Sequence, residues 1–147
     1  DSKEVRSYIQ SKKKKLFSYE IFENLDLSKG NYEELEFQFS SFVGCNFTQS
    51  SWNKSHLLFS NLQNTMLKNT KMEKMKIFDT DFSGATLEQV DFAGAKIKHV
   101  SFAGAKLIQV DFSKVLLAEE INFQDAQIVD CKFPEEVGSG LLYHENR

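Results

Sequence analysis

Between Asp81 and Val115 a large apolar residue recurs at every fifth position, with Phe82, Leu87, Phe92, Ile97, Phe102, Leu107 and Phe112 in one phase. From Leu87 on, a small residue precedes each by two positions, in the series Ala85, Val90, Ala95, Val100, Ala105 and Val110. A helix needs a period near 3.6 and a half-buried strand needs alternation, so a strict period of five satisfies neither. It predicts a coil whose corner returns once per unit, each unit turning one large and one small side chain toward a common axis. Such short units cannot bury their apolar faces alone and must stack on neighbouring turns.

The phase extends backward from Leu117 to Phe22 without a missed step, through Ile77, Met72, Leu67, Leu62, Leu57, Trp52, Phe47, Phe42, Phe37, Tyr32 and Leu27. Past Leu117 one extra residue is expected before Phe123, after which Ile128 and Phe133 resume the spacing. An insertion of that size reads as a bulge that re-aims the next unit without breaking the stack. In the first half the small slots hold Ser40, Ser50, Ser55, Ser60, Thr65 and Thr70, whose hydroxyls can bond to nearby backbone. Leu25, Leu35 and Met75 are large for such slots and predict less regular coils there.

The units DFSGA, DFAGA and SFAGA, alternating with TLEQV, KIKHV and KLIQV, resemble the pentapeptide-repeat family. The resemblance covers Phe22 to roughly Pro134 and implies an all-β fold, a right-handed quadrilateral β-helix with four units per coil. Residues 18–134 would then make just under six coils, a rod of about 27 Å at about 4.8 Å per coil. Phe82, Phe92, Phe102, Phe112, Phe123 and Phe133 would be its aromatic core. Residues 1–17 lie outside the repeat, and Val5, Tyr8, Ile9, Leu16 and Phe17 predict a short helix capping the open end. The run Lys12 to Lys15 reads as the solvated side of that cap, with a phosphate or acidic-lipid contact as the alternative. Pro134 ends the ladder, and residues 135–147, with Leu141, Leu142 and Tyr143, read as a tail or second cap.

The chain has 147 residues and a net charge of -3, and no apolar run long enough to span a membrane. Charge is uneven, with residues 1–76 basic on balance and residues 77–147 acidic. Cys45 and Cys131 fall in small inward slots too far apart to be bridged, and as reduced thiols they point to a cytoplasmic location. The chain begins with Asp1, which reads as a trimmed chain or part of a longer protein.

Chemistry is sparse. His56, His99 and His144 lie far apart, without a neighbouring cysteine or carboxylate at ligand spacing, and no cofactor or metal site is expected. A filled rod offers no concave pocket with converging titratable groups, so an enzyme is not expected. The preferred reading is a non-catalytic scaffold that docks a protein partner on a side face. Apolar outward positions Phe39, Leu58, Phe59, Phe78 and Leu116, beside Lys76, Lys96 and Lys98, mark that face, with Ala118 expected outward as well.

The resemblance adds two alternatives. Resistance members of the family mimic duplex DNA and occupy a type II topoisomerase. Here Asp79, Asp81, Glu88, Asp91, Asp111, Asp125 and Asp130 would carry such a contact, with no direct nucleic-acid binding. The other alternative is the repeat domain of a bacterial effector or immunity protein. Within the family, acidic residues just before the central Phe, such as Asp91 and Asp111, also stabilise the corner backbone.

Overall fold

A computed structural model describes residues 1–11 and 13–134. It opens with helix α1, Ser2–Gln10, whose N-cap Asp1 accepts a hydrogen bond from the Glu4 amide. Short strands follow: β1 Leu16–Ser18, β2 Glu36–Gln38, β3 His56–Leu58, β4 Met66–Lys68 and β5 Lys76–Phe78. The remainder are β6 Thr86–Glu88, β7 Lys96–Ser101, β8 Lys106–Ile108, β9 Leu117–Asn122 and β10 Gln127–Val129.

All pairing is parallel, between residues twenty apart up to Asp111, as in Phe17 with Phe37 and Phe37 with Leu57, and twenty-one apart beyond it. One side of the rod is a six-stranded sheet in the order β1-β2-β3-β5-β7-β9, and a second is a four-stranded sheet, β10-β8-β6-β4. Isolated bridges such as Ile21–Ser41–Asn61 and Ser51–Lys71–Asp91 form the other two sides. This is the coil that the period of five predicts, with the four sides that the family resemblance implies. Inward residues stack on their own kind: Phe82 on Phe102 at 5.2 Å, Phe102 on Phe123 at 5.5 Å, and Phe92 on Phe112 at 5.0 Å. Leu35 and Met75 are buried in their small slots, and the twenty-residue register of β2, β3, β5 and β7 continues undisturbed past both.

The corners have one recurring backbone solution. Two residues after each inward position from Phe17 to Ile128, except Phe112, the chain enters the left-handed region, at Asn24, Lys54, Asn64 and Lys74 as well as at Gly44, Gly84, Gly94 and Gly104. An L-residue there costs about 1–2 kcal/mol, and the ladder bonds made on both sides of the corner hold it in place.

The structure corrects the reading at three places. Leu16 and Phe17 are not helical: α1 ends at Gln10, and Phe17 is a fully buried β1 residue stacked on Phe37 at 4.9 Å. The extra residue lies earlier than expected. Asp111 still pairs with Asp91 at twenty, but Leu117 pairs with Lys96 at twenty-one. Ala118, aligned with Ile97, therefore takes the inward slot expected for Leu117, and Leu116 is pushed out to 71% exposure. Phe133 stacks on Phe112 at 5.5 Å yet stays half-buried, as does Cys131. The tail expected over residues 135–147 lies outside the described residues.

α1 caps the first coil by imitating the coil that is missing. Within the rod, the amide that opens a unit bonds to a carbonyl of the preceding coil, as Asn46 does to Leu25 at 2.9 Å and Ser51 to Gly30 at 3.0 Å. In the first coil the equivalent amides of Asp26 and Asn31 bond instead to Ser2 Oγ at 2.8 Å and Gln10 Oε1 at 2.6 Å. Arg6 Nη2 donates to the Asp26 carbonyl at 2.7 Å, and Ile9 is fully buried against the core.

Two predictions test this architecture. Phe102→Ala should lower unfolding free energy by about 3–5 kcal/mol in urea titrations, whereas Lys106→Ala should change it by about 0.5 kcal/mol or less; equal losses would contradict the inward phase. Gln10→Ala should speed amide exchange at Asn31 by about fivefold or more, with the Ser51 amide unchanged, since a lost hydrogen bond of about 1 kcal/mol or more opens only the capped edge.

Candidate functional site

Each unit of the six-stranded side turns its first and third residues outward and its fourth around the corner, so equivalent positions form rows along the rod. The first-position row reads Leu16, Glu36, His56, Lys76, Lys96, Leu117. The third-position row reads Ser18, Gln38, Leu58, Phe78, Lys98, Glu119. The structure thus brings Leu58, Phe78, Lys76, Lys96 and Lys98 together on one face, with Phe39 and Phe59 on the adjacent corner and Leu116 at the bulge that ends it.

The corner row holds a feature the sequence reading missed. Tyr19 stacks on Phe39 at 5.1 Å and 8°, and Phe39 stacks on Phe59 at 5.0 Å and 7°. All three rings stand outside the core, at 75%, 47% and 52% exposure, on backbone with φ of 58°, 50° and 52°. Bulky aromatics seldom occupy the left-handed region; coplanar stacking adds about 0.5–1.5 kcal/mol per pair, which offsets part of that strain. The row continues with Asp79, His99 and Glu120, where the ladder ends and polar groups begin. Tyr19 was legible as the residue twenty before Phe39, but its unit was hidden by the helical reading of Leu16 and Phe17.

The acidic set is not brought together. Asp81 lies on the Phe82 side, Glu88 on β6, and Asp91 and Asp111 on the Phe92 side, while Asp79, Asp125 and Asp130 occupy three different corners. Glu88 sits 3.8 Å from Lys68. Asp81, Asp91 and Asp111 turn back on their own corners, accepting from the amides of Ser83, Ala93 and Ser113 at 2.8 Å, 2.9 Å and 2.8 Å. Burial would raise the Asp81 and Asp111 carboxyls, but the bonds from Ser83 and Ser113 outweigh it and hold both below the ordinary value.

Catalytic equipment does not assemble among the described residues. His56 pairs with Glu36 at 3.1 Å and His99 with Glu120 at 2.6 Å, both as half-exposed contacts between successive coils. His144 lies outside the described residues. Cys45 is fully enclosed, and burial pushes its thiol up to about 11. No group of three or more His, Cys, Asp or Glu among the described residues could hold a metal. The concavities are open grooves between rows, such as one lined by Asn53, Thr70, Lys71, Glu73 and Asp91. No described helix is long and apolar enough to cross a membrane.

With this geometry in view, the family model described as "Pentapeptide repeat region" matches residues 45–120, more than half of the chain. The chain belongs to the pentapeptide-repeat family. As such it is a repeat solenoid. Among solved structures it is similar to a pentapeptide repeat protein from the Arabidopsis thaliana thylakoid lumen, at 19% identity and a TM-score of 0.61, covering 74% of this chain and 73% of that one. QnrB1, a plasmid-mediated fluoroquinolone resistance protein, matches at 17% identity and a TM-score of 0.39, with coverage of 82% and 78%. The pentapeptide repeat protein Rfr23 from the cyanobacterium Cyanothece 51142 matches at 14% identity and 0.38, with coverage of 89% and 99%. The first likeness supports the fold; the other two carry no argument about partner or activity. No curated protein sequence matches the chain.

The depressed carboxyls of this pentapeptide-repeat chain, Asp81 and Asp111 with Asp26, predict a loss of stability in acid. Groups titrating below their ordinary value of 3.8 add stability that is present above that pH and lost as pH falls through the folded values. Asp81→Asn should therefore flatten the fall in urea midpoint below about pH 4; an acid limb identical to the parent's would remove the Asp81 corner as a contributor.

Proposed function

We propose that the chain is a docking scaffold that binds a protein partner through the outer face of the six-stranded sheet and the aromatic corner beside it. The observation that carries this reading is the stacked ladder Tyr19–Phe39–Phe59, three large rings held outside a core that has room for rings and uses them. Next to it Leu58 and Phe78 replace the polar side chains found elsewhere in their row, and Lys76 and Lys96 form a charged rim. Aromatic anchors with a charged border are the composition of a protein interface. Of the carboxylates that a duplex mimic would use, only Asp91 and Asp111 share a side, which favours a protein-docking face over topoisomerase blockade.

A photo-reactive phenylalanine placed at position 78, expressed in the cells that make the protein, should cross-link one reproducible partner identifiable by mass spectrometry. Phe59→Ser with Phe78→Ser should abolish capture by wild-type-tagged pull-down while leaving stability within about 1 kcal/mol. A much larger loss of stability would assign these rings to the fold, and undiminished capture would reject the face.

A further inference from the structure

The face also specifies the kind of segment that fits it; this step rests on the docking reading above. Most of its carboxylates are engaged: Glu36 with His56 at 3.1 Å, Glu119 with Lys98 at 3.8 Å, Glu120 with His99 at 2.6 Å and, beside the ladder, Glu20 with the Tyr8 hydroxyl at 3.0 Å. Asp79, next in the corner row after Phe59, is the one carboxylate there that makes no ion pair among the described residues. Lys96 is exposed and Lys76 half-buried, the latter's Nζ 5.7 Å above the Phe78 ring, and among the described residues neither has a carboxylate partner. The Lys13–Lys15 run, which enters the same face at Leu16, is exposed as well. The charge left over is positive, so the complementary occupant is acidic.

Spacing selects its conformation. Rungs of the face repeat about every 4.8 Å along the rod. An α-helix lying parallel to the axis offers one residue per turn of about 5.4 Å, close enough to stay in step over three or four rungs. Same-face side chains of an extended strand recur about every 6.6 Å and lose register after one. Width agrees too: the lysine row and the aromatic corner are three residues apart along the strand, about 10 Å, which is one helix diameter. We propose that this face binds an acidic amphipathic helix of a partner protein, its apolar stripe on Leu58, Phe78 and the aromatic ladder and its carboxylates on Lys76 and Lys96.

The probe is a fluorescein-labelled, hydrocarbon-stapled peptide of about fifteen residues, with leucine on one helical stripe and glutamate on its flanks. Controls are a lysine-for-glutamate analogue and an isomer in which the leucines do not share a face. Anisotropy should show binding by the acidic peptide alone, weakening as salt rises. Lys76→Glu with Lys96→Glu, and separately Phe59→Ser with Phe78→Ser, should each weaken it by about tenfold or more, with melting temperature close to the parent's. No binding, equal binding of the isomer, variants that bind like the parent, or displacement of the peptide by phosphatidylserine vesicles that bind the same residues would overturn the assignment. If position 78 still cross-links a partner whose contacting segment is not an acidic helix, the acidic-helix assignment falls and the docking face stands. If cross-linking fails as well, both fall.

Discussion

Every turn of this rod depends on a corner residue that accepts left-handed backbone two positions after the inward side chain. Glycine takes that position at Gly44, Gly84, Gly94 and Gly104, but Asn, Asp, Gln, Lys, Glu, His and aromatic residues take it elsewhere. The conformation is not chosen by local preference, since lysine and phenylalanine have little for it. It is imposed by the ladder: the corner amide must reach the next coil, as Asn24 reaches Val43 at 2.8 Å and Phe39 reaches Leu58 at 3.0 Å. Where the register slips, the pattern lapses. Lys114 has no positive φ, its coil carries the extra residue, and Leu116 is expelled.

The same accounting of backbone groups explains how the cap leaves a surface open. A rod has two ends at which amides and carbonyls lose their partners. α1 meets this with Ser2, Arg6 and Gln10, all directed at Asp26 and Asn31, and plugs the apolar bore with Ile9. These contacts draw the helix over the Leu27 and Tyr32 sides of the first coil. Tyr8 reaches the β1 side as well, edge-on to Phe17 at 5.5 Å and donating to Glu20 at 3.0 Å, but Leu16, Tyr19 and Ile21 remain 46%, 75% and 75% exposed. The cap is therefore compatible with a docking face that begins at the very first strand.

What could be read from the sequence follows from what the period of five encodes. Inward and outward are determined residue by residue, which is why Phe82, Phe92, Phe102 and Phe112 were assignable. The end of the first coil was harder because the lysine run and the apolar residues around it satisfy a helical pattern equally well, and only pairing of Phe17 with Phe37 decides between them. The slip was misplaced for a similar reason. Leu116, Leu117 and Ala118 are all apolar, and Leu117, five residues after Phe112, is the one the period selects for the core, while the backbone register puts Ala118 there and leaves Leu117 half-buried.

Faces are encoded at a longer range still, in steps of twenty, and a property averaged over half the chain says little about any one of them. Residues 77–147 are acidic on balance, yet a chain that turns a corner every five residues distributes Asp79, Asp81, Glu88 and Asp91 over successive sides and corners. The acidity of that half is therefore spread around the rod, with Asp91 and Asp111 adjacent on one side. Conversely, the lysines and aromatics of the six-stranded side are scattered from Lys13 to Lys98 in the chain but adjacent on the rod. For a solenoid of this kind, recognition is a property of rows, and rows appear only when the corner geometry has placed every residue beside the one twenty positions away.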